Sequence, residues 1–256
     1  MTADSSSFDA HATSFDVAAA AYERGRPPYP PEALDWLLPP GARRVLDLGA
    51  GTGKLTRLLV ARGLDVVAVE PLEGMRAELS RVLPGIEVRA GSAEHIPLPD
   101  GSVDAVLAAQ AWHWVTPERA TPEVARVLRP GGPLGLVWNE RDDQEPWVTA
   151  LNHIVDDQGQ KKQADDMRAH NDYDNPQVGP PFGPLELHKV PWVHDTTVPE
   201  LIDMVASRSY VILLPPERRE ALLASVRHLA ETDPALAGRT EIPLPYVTWC
   251  WRTRRP

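Results

Sequence analysis

The sequence predicts a doubly wound α/β fold, an open and mostly parallel sheet with helices on both faces, and three observations predict it. Between residues 43 and 140, short apolar runs alternate with amphipathic segments, which is the rhythm of βαβ units. The first of those runs ends in Gly49, Gly51 and Gly53, as a strand does where a ligand must approach the backbone closely. Finally, 43% of the 256 residues are hydrophobic, enough to bury one large core.

The elements follow in order. An alanine-rich run from Ser14 to Arg24, carrying Phe15, Val17 and Tyr22, predicts a short helix before the turn Gly25-Arg26-Pro27-Pro28-Tyr29-Pro30. Pro31 to Leu38 form a second helix, which Pro39, Pro40 and Gly41 end. The buried strand at 43–48 leads through the glycines into a helix from Lys54 to Arg62, stopped by Gly63. A strand at 65–70, a helix from Met75 to Leu83 and a strand at 86–91 follow. The fourth strand spans 103–110, and Pro117 to Leu128 is a helix with Val124, Val127 and Leu128 on its apolar face. Pro130-Gly131-Gly132 turns the chain into a fifth strand. A helix from Pro146 to Val155 then gives way to a polar stretch, 156–181, that reads as a loop or lid. Residues 185–194 form the sixth strand. Leu201 to Ala206 and Glu217 to Ala230 are helical, and 246–253, alternating at period two, supplies the seventh strand that closes the sheet.

Composition excludes several functions. Asp and Glu outnumber Lys and Arg by 36 to 26, a formal charge of −10, so the summed field repels nucleic-acid backbones and anionic membranes. Arg252, Arg254 and Arg255 read as a solvated tail. Cys250 is the one cysteine; it allows neither an intramolecular disulfide nor a thiolate metal cage. The histidines show no paired metal-ligand spacing, so no metal is expected. Without a membrane-length apolar run or a signal peptide, the chain reads as soluble and cytoplasmic, a monomer or homodimer with no nucleic-acid or membrane partner.

The glycine loop 45–55 carries the chemistry. A phosphate-binding P-loop requires Gly, four residues, then Gly-Lys and Ser or Thr, but Leu48 and Leu55 occupy two of those places. A dinucleotide fingerprint needs its third glycine where Lys54 stands. Glu70, closing the next strand, can accept both hydroxyl protons of a ribose, which suits a dinucleotide or another adenosyl ligand equally.

Longer stretches add a resemblance. Val45-Leu46-Asp47-Leu48-Gly49-Ala50-Gly51-Thr52-Gly53 is similar to the glycine motif of class I S-adenosylmethionine-dependent methyltransferases, and Glu70 fits its spacing. Residues 91–114, 125–139 and 22–30 resemble the small-molecule members, the ubiquinone/menaquinone-type and trans-aconitate-type group. The resemblance implies a Rossmann-like methyltransferase fold of seven strands with the last antiparallel, in one domain spanning 1–256. Its parts would be an N-terminal helical lid (1–40), a cofactor-binding core (41–140), an insertion (141–184) and C-terminal strands with a helical cap (185–256).

It also implies roles. S-adenosyl-L-methionine is the cofactor. Gly49, Ala50, Gly51 and Gly53 would line its methionine part, Asp47 would orient the ammonium, and Arg26 would pair with the carboxylate. Glu70 would hold the ribose, Pro71 and Met75 would pack near the adenine, and Ser92 and Ala93 would lie along its edge, although many relatives carry Asp where Ser92 stands. Gln110 would face the transferred methyl. His113 and Tyr22 are the candidate bases for an acceptor that must lose a proton. Each has a plainer reading: Asp47 as a local cap of the loop, Met75 as core, Arg26 as a surface ion pair, His113 as a packed residue. The expected function is methyl transfer to a small-molecule acceptor by O-, N- or C-methylation, with a carboxylate or hydroxyl among the acceptors. The competing functions are an NAD-dependent oxidoreductase and a non-catalytic S-adenosylmethionine-binding protein.

Overall fold

A computed structural model describes residues 25–156 and 173–256; the helix expected at 14–24, Tyr22 and most of the polar stretch 156–181 lie outside them. Seven strands form one sheet in the order β3-β2-β1-β4-β5-β7-β6. They are β1 (Arg44–Leu48), β2 (Asp65–Glu70), β3 (Glu87–Ala90), β4 (Ala105–Ala109), β5 (Pro133–Arg141), β6 (Glu186–Thr196) and β7 (Ile242–Arg254). The first five are mutually parallel where they pair, with Leu46 opposite Val67 on one side and Val106 on the other. β7 runs antiparallel to β5: Gly131 and Gly132 exchange backbone hydrogen bonds with Arg255, while Asp142 N–H reaches Pro245 O at 3.0 Å. The expected doubly wound sheet with an antiparallel last strand is therefore present.

The chain divides into two compact units. One comprises residues 28–140, 173–190 and 247–256. The other comprises residues 25–27, 141–156 and 191–246.

In the first unit, helices α1 (Pro31–Leu37), α2 (Lys54–Ala61), α3 (Glu73–Val82) and α4 (Pro117–Val127) connect the parallel strands. The apolar runs read from the sequence become buried because helices cover the sheet. Leu46, Val67, Val69, Val106, Leu134 and Leu136 gather with Val124 and Val127 in one cluster, and Val45, Val66, Ala105 and Leu107 with Leu34, Leu37 and Leu59 in another. In the second unit α5 (Pro146–Asp156), α6 (Val198–Ala206), α7 (Ser209–Ile212) and α8 (Pro216–Thr232) bury Trp147, Leu151, Leu201, Val205, Leu222 and Val226 together.

Two boundaries differ from expectation for identifiable reasons. α6 starts three residues earlier than its apolar pattern because Thr197 and Glu200 form a capping box with Pro199 in the first turn, a start signal legible in Thr-Val-Pro-Glu. β7 begins four residues before the expected 246, with Ile242 and Leu244 buried. Pro243 and Pro245 mask those residues as a turn in the sequence.

Candidate functional site

The site is assembled where β1 parts from its neighbours. β2 lies on one side of β1 and β4 on the other, and the connections leave in opposite directions, so a crevice opens at the carboxyl ends of these strands. The β1/β2 ladder ends as Val69 O accepts from both Gly49 N (2.8 Å) and Ala50 N (3.2 Å), after which the chain bends away. Gly49, Gly51 and Gly53 have φ of 70°, 56° and 92°, a region that penalises any Cβ. Gly49 has a second constraint, since its Cβ would stand 2.6 Å from that of Ala111. Among the described residues, nothing lies within 4 Å of where a Gly51 Cβ would be. Gly53 caps α2 without a side chain, leaving first-turn N–H groups at the crevice.

Two carboxyl groups face this loop. Glu70, buried at the end of β2, accepts from Gly51 N at 2.9 Å through one oxygen and from Leu72 N at 3.0 Å through the other. Each carboxylate oxygen retains lone-pair capacity for a further donor. The turn behind it is held by Arg76, whose Nη1 donates to the carbonyls of Glu70 (3.0 Å) and Pro71 (2.6 Å). Asp47 is fully buried in β1, and its Oδ2 accepts from Thr56 Oγ1 at 2.5 Å. Its Oδ1 is buried without a hydrogen-bond partner. Burial, opposed by the Thr56 bond and reinforced by the charge of Glu70, pushes the Asp47 carboxyl up to about 7.

The remaining expected residues divide. Ala50 packs on Ala68 and Leu79; Met75 is buried in α3, and Pro71 is exposed. Ser92 is partly buried and exchanges backbone hydrogen bonds with His95 just beyond β3, and Ala93 is buried in the core. Arg26 belongs to the second unit and is partly buried. Tyr22 lies outside the described residues.

At the end of β4, Gln110 is the one non-glycine among the described residues with positive φ, 55°. Such a conformation persists only where the surroundings enforce it. Here Gln110 N donates to Val137 O (2.8 Å) and its Nε2 to Asn139 O (3.2 Å). His113 follows in the short 3₁₀ turn Trp112–Trp114, its Nδ1 accepting from Trp138 Nε1 at 3.2 Å. Trp112 Nε1 donates to Gln177 O at 2.9 Å. Sequence reasoning missed Thr56, Arg76 and Asn139. Asn139 donates to Pro28 O (2.8 Å) and accepts from Thr248 Oγ1 (2.6 Å). The one signal for it was an amide ending an apolar strand.

Residues 46–136 match the methyltransferase domain family. Over 239 residues the chain is 56% identical to an uncharacterized methyltransferase of Mycobacterium tuberculosis, covering 93% of this chain and 94% of the other. The chain is a class I S-adenosylmethionine-dependent methyltransferase. Over 98 residues this methyltransferase is also 45% identical to a demethylmenaquinone methyltransferase of Beutenbergia cavernae, covering 37% of this chain and 41% of that one. A solved structure of a candidate type II methyltransferase from Anaeromyxobacter dehalogenans superposes with a TM-score of 0.66 at 28% identity, over 90% of this chain and 96% of its own. The competing readings as a nicotinamide oxidoreductase or a non-catalytic protein are set aside by this membership. The enzyme's cofactor is S-adenosylmethionine, and the residues present fit it: an unpartnered buried carboxyl oxygen, a carboxylate at the strand end, and glycines that leave the crevice open. Among the described residues no cluster could hold a metal, and no helix is long and apolar enough to cross a membrane.

Proposed function

We propose that this methyltransferase acts on a small-molecule acceptor in the cytoplasm. The observation that carries the reading is the convergence of Glu70, Asp47 and the Gly49–Gly53 backbone on one crevice, combined with a chain charge of −10 that disfavours nucleic acid. Similarity to a demethylmenaquinone methyltransferase over part of the chain supports the same class.

Within this reading, Glu70 accepts the ribose hydroxyl protons while its bonds to Gly51 and Leu72 fix its carboxylate. Asp47 Oδ1 orients the ammonium, and Gly49, Ala50, Gly51 and Gly53 line the methionine part. Met75 and Pro71 border the adenine, with Ser92 and Ala93 at its edge. Gln110 stands at the methyl end. S-adenosylmethionine supplies a methyl group already activated by its sulfonium, so the protein's task is to align the acceptor and exclude water. Calorimetry with S-adenosylhomocysteine, followed by its release in a mixed metabolite pool, tests the proposal. Tight binding without turnover in any small-molecule pool, but with turnover on protein or nucleic acid, would overturn the small-molecule assignment.

A further inference from the structure

We infer that Trp138 is a positioning residue that holds His113 as the Nε2–H tautomer, so that His113 meets the acceptor as a hydrogen-bond donor and not as its base. The inference rests on the proposed reading of Gln110 as the methyl end, with His113 in the turn that follows it, and it deepens that reading.

The argument starts from donor capacity. An indole N–H can only donate, so the 3.2 Å contact from Trp138 Nε1 requires a lone pair on His113 Nδ1. A neutral imidazole with its lone pair on Nδ1 carries its proton on Nε2. Protonating Nδ1 would set two N–H groups against each other inside a packed site. The nitrogen that would serve as a base is therefore committed to Trp138, and the other already bears hydrogen.

The surroundings make this arrangement rigid. Trp138 is 1% exposed and anchored in β5, so its indole cannot turn away without opening the core. Its neighbours on β5 hold the other end of the same turn, as Val137 O and Asn139 O accept from the backbone and side chain of Gln110. Trp114 lies beside the imidazole, with ring centroids 5.0 Å apart and planes inclined at 48°. Three successive β5 residues thus fix both the strained Gln110 and the His113 ring. An acceptor that offers a lone-pair oxygen is oriented by such a donor; one that must surrender a proton finds none of its chemistry in His113.

Long-range ¹H–¹⁵N correlation spectra of the full chain read the tautomer directly. The expected result is a pyridine-type Nδ1 and a pyrrole-type Nε2 for His113 at neutral pH, lost to tautomer averaging in Trp138→Phe. The reverse assignment in the wild-type protein, or an unchanged pattern in Trp138→Phe, would overturn the inference. The wild-type spectrum decides even if Trp138→Phe fails to fold. Turnover supplies a second arm: His113→Gln keeps a donor but no basic nitrogen, and is expected to restore most of what His113→Ala loses. A base would be lost equally in both, by about 10²–10⁴-fold, and that equality would also refute the donor role. Absence of wild-type turnover in every small-molecule pool, with the tautomer pattern intact, would instead sink the acceptor assignment and leave the Trp138 lock standing.

Discussion

Gly49→Ala puts the closeness of the glycine loop to the end of β4 to a quantitative test. Two separate costs are expected. Gly49 has φ of 70°, and placing an L-residue in the left-handed region costs about 1–2 kcal/mol. The new Cβ would stand 2.6 Å from Ala111 Cβ, about 1 Å inside the usual carbon–carbon separation. Relieving that overlap by backbone movement costs a further ~1–3 kcal/mol. The total, about 2–5 kcal/mol, is readable as a shift in the urea midpoint at constant slope. The second term has its own control. Ala111→Gly removes the opposing methyl, so the double variant should recover the overlap term while keeping the backbone term. A double-mutant cycle should then show a coupling of about 1–3 kcal/mol. A Gly49→Ala protein within about 0.5 kcal/mol of wild type, or a double variant that recovers nothing, would refute the claim that these two segments touch in the folded enzyme.

Three further outcomes are expected. Glu70→Gln should weaken S-adenosylhomocysteine binding by about 10–100-fold in calorimetry, since each hydrogen bond to a charged group contributes ~1.5–3 kcal/mol; unchanged affinity would remove Glu70 from the site. Asp47 has a folded-state value of about 7 against an ordinary 3.8, so the folded protein binds this proton more tightly than the unfolded one. Its contribution to stability is therefore full at low pH and declines as pH rises from about 4 through about 7. Asp47→Asn should abolish that decline in chemical unfolding measured across this range, and an identical pH slope in both proteins would contradict the buried, proton-binding Asp47. Asn139→Ala removes the hydrogen bond that Thr248 Oγ1 donates and the one that Pro28 O accepts. It should destabilise the chain by about 1–3 kcal/mol, and thermal unfolding unchanged from wild type would show that water replaces both bonds.

What the sequence made legible, and what it hid, follows from the range of the interactions involved. β1, β2, β4 and β5 were readable because strands covered on both faces must be apolar throughout, and the glycine loop because its positive φ values select one residue type. Glu70 was readable for a related reason, as an acid stands out at the end of such a strand. Local signals also had limits of their own: Pro243 and Pro245 hid the start of β7. The residues that hold the site are different in kind. Trp138 reaches His113 across 25 positions, Asn139 reaches Thr248 across 109 and Pro28 across 111. No periodicity records such pairs, because each partner obeys its own strand or turn and the bond appears only when β4, β5 and β7 lie side by side. His113 shows what this changes. Read along the chain, a histidine after a strand end is a candidate base; once β5 is beside it, the indole of Trp138 decides which nitrogen bears the proton, and with that the role open to the side chain.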